Sequence, residues 1–328
     1  MRLPQRHTKN LRMPPTDPDS KNGSALRAGL VPPPTTIGAL LAVGALLLVN
    51  GVMLAVTLAL SREAQNHGLS PVAYGFWMTL GGGLILTFAA LWRRPQAPTT
   101  GQLRYWLISG LLSLAAPQLL VFIAVTRVGV GLASITFVLP TLATWVVARI
   151  MGIEGPSRLR LIGAVLATIG ATWLIIPSAA LPAEAAPWML LLLGASVALT
   201  AGNIYRRVAW PFHARPVELA AGMLMAASVM FLLPALALGT ELAFWRVEGA
   251  AAIVAAQMML SALHFFAYYV LQQRATPVIF SLLGHVTLVA GMVGGALLLG
   301  ERYPPAALIA VAAIFTGLLL MVLPRRNG

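Results

Sequence analysis

The chain has 328 residues, 59% of them hydrophobic and only 9% charged, with a mean hydropathy of +0.84, which excludes an ordinary water-soluble domain. A net charge of +13 suits nucleic acid in principle, but with a cytoplasmic N-terminus 18 of the 22 Lys and Arg fall on one side of a membrane, so the excess reports topology. The chain contains no cysteine, which excludes a disulfide framework, a thiolate nucleophile and a Cys-based metal site.

Residues 1–34 are polar, contain Arg2, Arg6 and Arg12, and are interrupted by Pro4, Pro14, Pro15, Pro18 and Pro32 to Pro34. No apolar run precedes a small-residue cleavage site, so they predict a disordered cytoplasmic tail and not a signal peptide. Ten apolar stretches follow, at about 35–60, 71–92, 104–126, 129–152, 158–177, 185–206, 216–237, 249–273, 277–300 and 305–324. A helix needs roughly 20 mostly apolar residues to cross the hydrocarbon. The expected fold is an all-α integral membrane protein of ten transmembrane helices in the lipid bilayer of a cell membrane, read as a bacterial inner membrane. The charge asymmetry puts both termini in the cytoplasm.

Polar side chains inside such helices are costly unless they face protein or water, so their spacing is informative. The first span carries Asn50, Thr57 and Ser61; the third has Ser113 beside Pro117 and Gln118; the fourth has Ser134, Thr141 and Thr144 around Pro140. In the sixth span Ser196, Thr200, Asn203 and Arg207 recur at spacings of three and four, and in the eighth Gln257, Ser261, His264, Tyr268 and Gln272 do the same. These stripes predict a wet, uncharged central cavity, with Asn50, Ser113, Gln118, Thr141, Thr200, Asn203, Ser261, His264, Tyr268 and His285 as substrate-binding candidates. Prolines 117 and 140 near midplane either free backbone carbonyls for the site or simply kink their helices for packing. Tyr74 and Trp77 are either packing residues or a flat surface for a substrate.

His264 and His285 lie near the middle of their spans and, with an ordinary pKa near 6.5, are candidates for proton coupling, for substrate contact or for a neutral structural bond. Glu218, at the start of the seventh span, is a third proton-coupling candidate or else a helix cap. Glu154 and Glu301 stand at span ends and are read as loop-fixing residues. Gly81 to Gly83, Gly291 with Gly295, and Gly163, Ala167 and Gly170 form small-residue faces for close helix approach.

Shifting the chain by 147 residues superposes Arg127 on Arg274, Ser134 on Ser281, Glu154 on Glu301, Gly170 on Gly317 and Pro177 on Pro324. Five helices per unit is an odd number, so the second unit enters from the opposite side. The expected organisation is a tail at 1–34, a first five-helix repeat at 35–177 and a second, inverted one at 185–324, a plan common among carriers.

The phrase Leu297-Leu-Leu-Gly-Glu301-Arg-Tyr303, followed by an apolar helix with Gly317, resembles the EamA-type pattern of the drug/metabolite transporter superfamily. Met151-Gly-Ile-Glu154-Gly-Pro-Ser-Arg158 is a degraded first copy, and the run from Thr276 to Gly291 resembles the ninth helix of one branch. The resemblance implies ten helices, cytoplasmic termini and export or exchange of small metabolites such as amino acids or toxic compounds. The chain departs from it in the first helix, where Trp-Gly-Ser-Asn is reduced to Val49-Asn50-Gly51, and in a longer loop to the second helix.

The leading expectation is a secondary carrier, because there is no P-loop for ATP. Without embedded Asp, Lys or a buried Arg, the cavity suits a neutral, zwitterionic or amphipathic small molecule, with protons as a candidate coupling ion. Arg207 keeps the alternative of an anionic-metabolite exchanger of the sugar-phosphate type, and a non-transport membrane scaffold is the third class. No His-Glu-x-x-His, Gly-x-Ser-x-Gly or intramembrane aspartate is present, so neither an enzyme nor a cofactor, metal or nucleic-acid partner is expected. The protein is expected as a monomer or homodimer.

Overall fold

The computed structural model describes residues 36–92, 97–138, 158–175, 186–211, 214–275, 279–280, 282–303 and 306–322, with five single positions from 140 to 150. The helices among the described residues are α1 (Ile37–Asn66), α2 (Pro71–Leu91), α3 (Thr100–Gly110), α4 (Ala116–Ser134), α5 (Arg158–Ile175), α6 (Ala186–Val208), α7 (Pro216–Ala237), α8 (Ala250–Arg274), α9 (Leu283–Leu299) and α10 (Ala306–Val322). A π turn, Leu111–Ala115, joins α3 to α4. Among the described residues six helical stretches are long and apolar enough to cross a membrane: α1, α2, the α3–α4 stretch, α6, α7 and α8. Burial is the reverse of a soluble protein's. Leu297 and Leu298 are 78% exposed whereas Asn50, Ser61, Thr79 and Ser109 are 0%, so this is an all-α membrane protein with its polar groups inside.

Local chemistry sets the ends. Thr36 caps α1 by accepting from the Ala39 N–H, and Ser70 caps α2 ahead of Pro71 at its first position. Thr99 and Gln102 form a reciprocal capping box at α3. The first helix continues to Asn66, so the connection to α2 is only residues 67–70. That corrects the longer loop expected from sequence: the polar run Arg62 to Asn66 is helical and lies above the apolar span. Within α4 the helix breaks at Gly129, whose φ of 83° with ψ of 164° is open only to glycine.

Small residues place the helices against one another. A Cβ at Gly170 would lie 2.7 Å from the Ala310 carbonyl and one at Gly317 would lie 2.7 Å from the Ala167 nitrogen, so α5 and α10 cross almost backbone to backbone. Gly82 of α2 faces Ser261 of α8, and Gly51 of α1 faces Val286 of α9. Gly291 makes room for Ser134 and Gly295 for Glu301 and Tyr303, the close approach expected of a small-residue face. α2 also packs along α7, and α4 along α6. Residues 1–35, Thr141, Thr144, Glu154 and Pro177 lie outside the described residues.

Candidate functional site

Pro117 has no N–H and its ring clashes with the carbonyl one turn back, at Ser113. The chain absorbs the clash in the π turn at Leu111–Ala115, closed by the Ala116 N–H donating to the Leu111 carbonyl. Widening the helix here turns Ser113 and Gln118 towards the middle of the molecule. Opposite them Gly202 of α6 approaches so closely that a Cβ there would overlap the Ser113 hydroxyl.

These elements enclose a cavity of about 50 Å³, room for about three to four waters. Its walls are Leu54 of α1, Ser113 and Gln118, Phe137 and Pro140, Leu199 and Asn203 of α6, His264, Phe265 and Tyr268 of α8, and Phe280, Leu283 and Gly284 at the start of α9. Most of this surface is apolar. Three of its polar atoms, Ser113 Oγ, Gln118 Oε1 and His264 Nε2, have no hydrogen-bond partner among the described residues, although their own residues are at most 6% exposed. A buried polar atom left unpaired costs about 1–3 kcal/mol, so such a wall favours a ligand or waters that supply the missing bonds. The ring of His264 lies 4.7 Å from Phe265 and 5.9 Å from Tyr268, and Tyr268 stands edge-on to Phe280 at 4.9 Å.

Of the sequence candidates, Ser113, Gln118, Asn203, His264 and Tyr268 therefore stand on the cavity wall. The other described candidates sit elsewhere. Asn50 is buried and donates to the Leu46 carbonyl at 2.7 Å. Thr200 bonds back to the Ser196 carbonyl, and Ser261 is buried against Gly82. His285 is buried on α9, one residue beyond Gly284 of the wall. Glu218 closes the first turn of α7, accepting from the Arg215 N–H at 3.3 Å. Tyr74 donates to the Thr57 carbonyl and Trp77 to the Leu242 carbonyl, and neither lines the cavity.

One buried charge beside the cavity escaped the sequence reading. Arg206, counted there with the cytoplasmic loop charges, is 0% exposed within α6. Its Nη2 donates to Asn203 Oδ1 at 2.6 Å and to the Tyr268 hydroxyl, and its guanidinium carbon lies 4.7 Å from the centre of the Tyr268 ring. The expectation of a site without a buried Arg is thus corrected, and the cause is helical register. Both Arg206 and Arg207 fit a spacing of three or four from Asn203, and only packing chooses between them.

At the other end of the bundle a carboxylate organises a junction. Glu301 accepts from the Val130 N–H at 2.8 Å and the Gly131 N–H at 3.3 Å, the two donors exposed by the break at Gly129. It also pairs with Arg62 from the end of α1 and accepts from the Tyr303 hydroxyl. Burial and the bond to Glu301 push the Tyr303 phenol well above the usual tyrosine range, so it remains a donor. Glu301 thus ties three chain segments together.

Comparison with known proteins agrees with this architecture. Residues 36–176 match the EamA-like transporter family. That family is part of the drug/metabolite transporter superfamily. It is a transporter family and not an enzyme family, and the described helices of this chain are those of a multi-pass membrane protein. A protein solved by crystallography is similar over 86% of this chain and 98% of its own, at 20% identity and a TM-score of 0.65, which shows a shared fold. No curated protein matches the sequence.

Proposed function

We propose that the protein is a secondary carrier that moves small organic metabolites by alternating access around the cavity between α4, α6, α8 and α9. The observation that carries this reading is the cavity itself, with unpaired Ser113, Gln118 and His264 atoms facing an otherwise apolar space. Apolar walls with a few convergent polar groups suit an amphipathic molecule. Asn203 and Tyr268 complete the polar side; Asn50, Thr200, Ser261 and His285 belong to the moving helices around it.

The carrier reading includes ten helices in two inverted five-helix repeats, 35–177 and 185–324, with both termini cytoplasmic. The helix contacts support it, because they exchange in pairs when each helix is replaced by its repeat partner. α5 on α10 and α2 on α7 map onto themselves, α2 on α8 exchanges with α7 on α3, and α1 on α8 exchanges with α6 on the α3–α4 stretch. Such contacts allow two units to rock about a central site. The Glu301 junction would then hold the non-cytoplasmic side closed, and its release would open the cavity to that side.

The experiment that tests the carrier is an untargeted comparison of metabolites in medium and cells, for cells producing wild type, His264→Ala at matched membrane levels, or neither. A compound whose distribution changes with wild type and reverts with His264→Ala supports the cavity as the working site. Absence of any change against empty-vector cells removes the carrier reading. Proton coupling through His264, His285 or Glu218 is the accompanying proposal, and transport that persists when the transmembrane pH gradient is collapsed removes it.

A further inference from the structure

We infer that Arg206 is an anion-binding group of this carrier, and that the transported molecule carries a carboxylate which Arg206 takes on N–H groups the protein leaves unused. The inference rests on the carrier reading and narrows its substrate class. An arginine has five N–H donors. Asn203 and Tyr268 engage Nη2, while Nε and Nη1 have no partner among the described residues although Arg206 is 0% exposed. No carboxylate among the described residues pairs with it; the ionisable groups around it are the phenols of Tyr105, Tyr268 and Tyr269. A buried cation without a counter-ion is among the least favourable arrangements in a protein, and its retention calls for an anion that arrives from outside.

The position fits. Arg206 is one hydrogen bond behind the cavity wall, held by the two wall residues Asn203 and Tyr268. A small displacement of the Tyr268 side chain would open the guanidinium to the cavity, while Leu54, Phe265 and Phe280 receive an apolar body. The charge count favours a monoanion. Arg207 projects about 100° further round the helix, so one guanidinium with hydroxyl donors beside it faces the site, which matches a carboxylate better than a doubly charged phosphate.

The test uses the purified full-length protein in detergent, melted with increasing phenylacetate or with phenylacetamide, which has the same body and no charge. Wild type should be stabilised by phenylacetate at concentrations about tenfold or more below those needed for phenylacetamide. Arg206→Gln should lose that preference and yet melt at or above the wild-type temperature, because no carboxylate is left unpaired when the charge goes. A purely structural cation would give the opposite sign, a clear loss of stability. Equal stabilisation of wild type by the two compounds, or by neither, overturns the carboxylate site without reference to any variant. In the metabolite comparison, a wild-type-dependent compound that lacks an anionic group and is unaffected by Arg206→Gln overturns the site but leaves the carrier standing. No difference between wild-type and empty-vector cells removes both.

Discussion

Glu301→Gln isolates one carboxylate that joins segments far apart in sequence, and its cost can be worked from the contacts. The carboxylate accepts four hydrogen bonds, from Val130 N–H, Gly131 N–H, Arg62 and Tyr303, at a side-chain exposure of 12%. A glutamine amide has one acceptor oxygen and one donor nitrogen, so at least one of the backbone N–H groups would face another donor. Bonds to a charged group contribute about 1.5–3 kcal/mol each, against about half that for neutral ones. Losing two and weakening the rest costs about 3–5 kcal/mol, the range for breaking one side of a buried ion pair. At about 2 °C per kcal/mol for a chain this large, the thermal midpoint should fall by roughly 6–10 °C. Arg62 is 27% exposed and can turn to water, so Arg62→Gln should cost less than half as much. In the double variant the two losses should fall short of their sum, since the pair is already broken. A Glu301→Gln midpoint within about 2 °C of wild type, or strictly additive losses, would refute the junction as drawn.

Gly129→Ala should destabilise by about 1–3 kcal/mol, because its φ of 83° is open only to glycine and the added Cβ would lie 2.9 Å from Glu301 Oε1; a thermal melt checks it, and a midpoint at or above wild type, as the higher helix propensity of Ala alone would give, refutes it. Gln118→Leu removes an unpaired buried oxygen from the cavity wall, so the protein should melt at or above the wild-type temperature while transport of the compound identified for wild type falls about tenfold or more. Gly317→Leu should separate α5 from α10, where a Cβ already lies 2.7 Å from the Ala167 nitrogen, and cost about 3 kcal/mol or more; blue-native migration and melting of the variant read the loss of packing.

Much of the architecture was legible in the chain because the bilayer imposes simple rules. Length and apolarity located the described helical stretches, and the expected spans opening at 71 and 216 begin where α2 and α7 begin. The stripes at helical spacing led to Ser113, Gln118, Asn203, His264 and Tyr268, which share one cavity. The same stripes also contained Ser261 and Gln257, whose partners turned out to be Gly82 and Thr57 on neighbouring helices. Periodicity says that residues share a face. It does not say whether that face meets a cavity or another helix.

By itself, then, the sequence determined that the chain is membrane-embedded and all-helical, where its helices run, and that its polar groups turn inward, since each follows from local length, charge and period. Tertiary packing alone decided the rest. It chose Arg206 over Arg207 for the interior, joined Arg62 to Glu301 across 239 residues, and set Asn203 and Tyr268 as the two partners of a buried cation. The physical reason is that helical register near a helix end, and contact between distant helices, depend on close approach at residues such as Gly202 and Gly82. A one-dimensional pattern of polarity carries no measure of that distance.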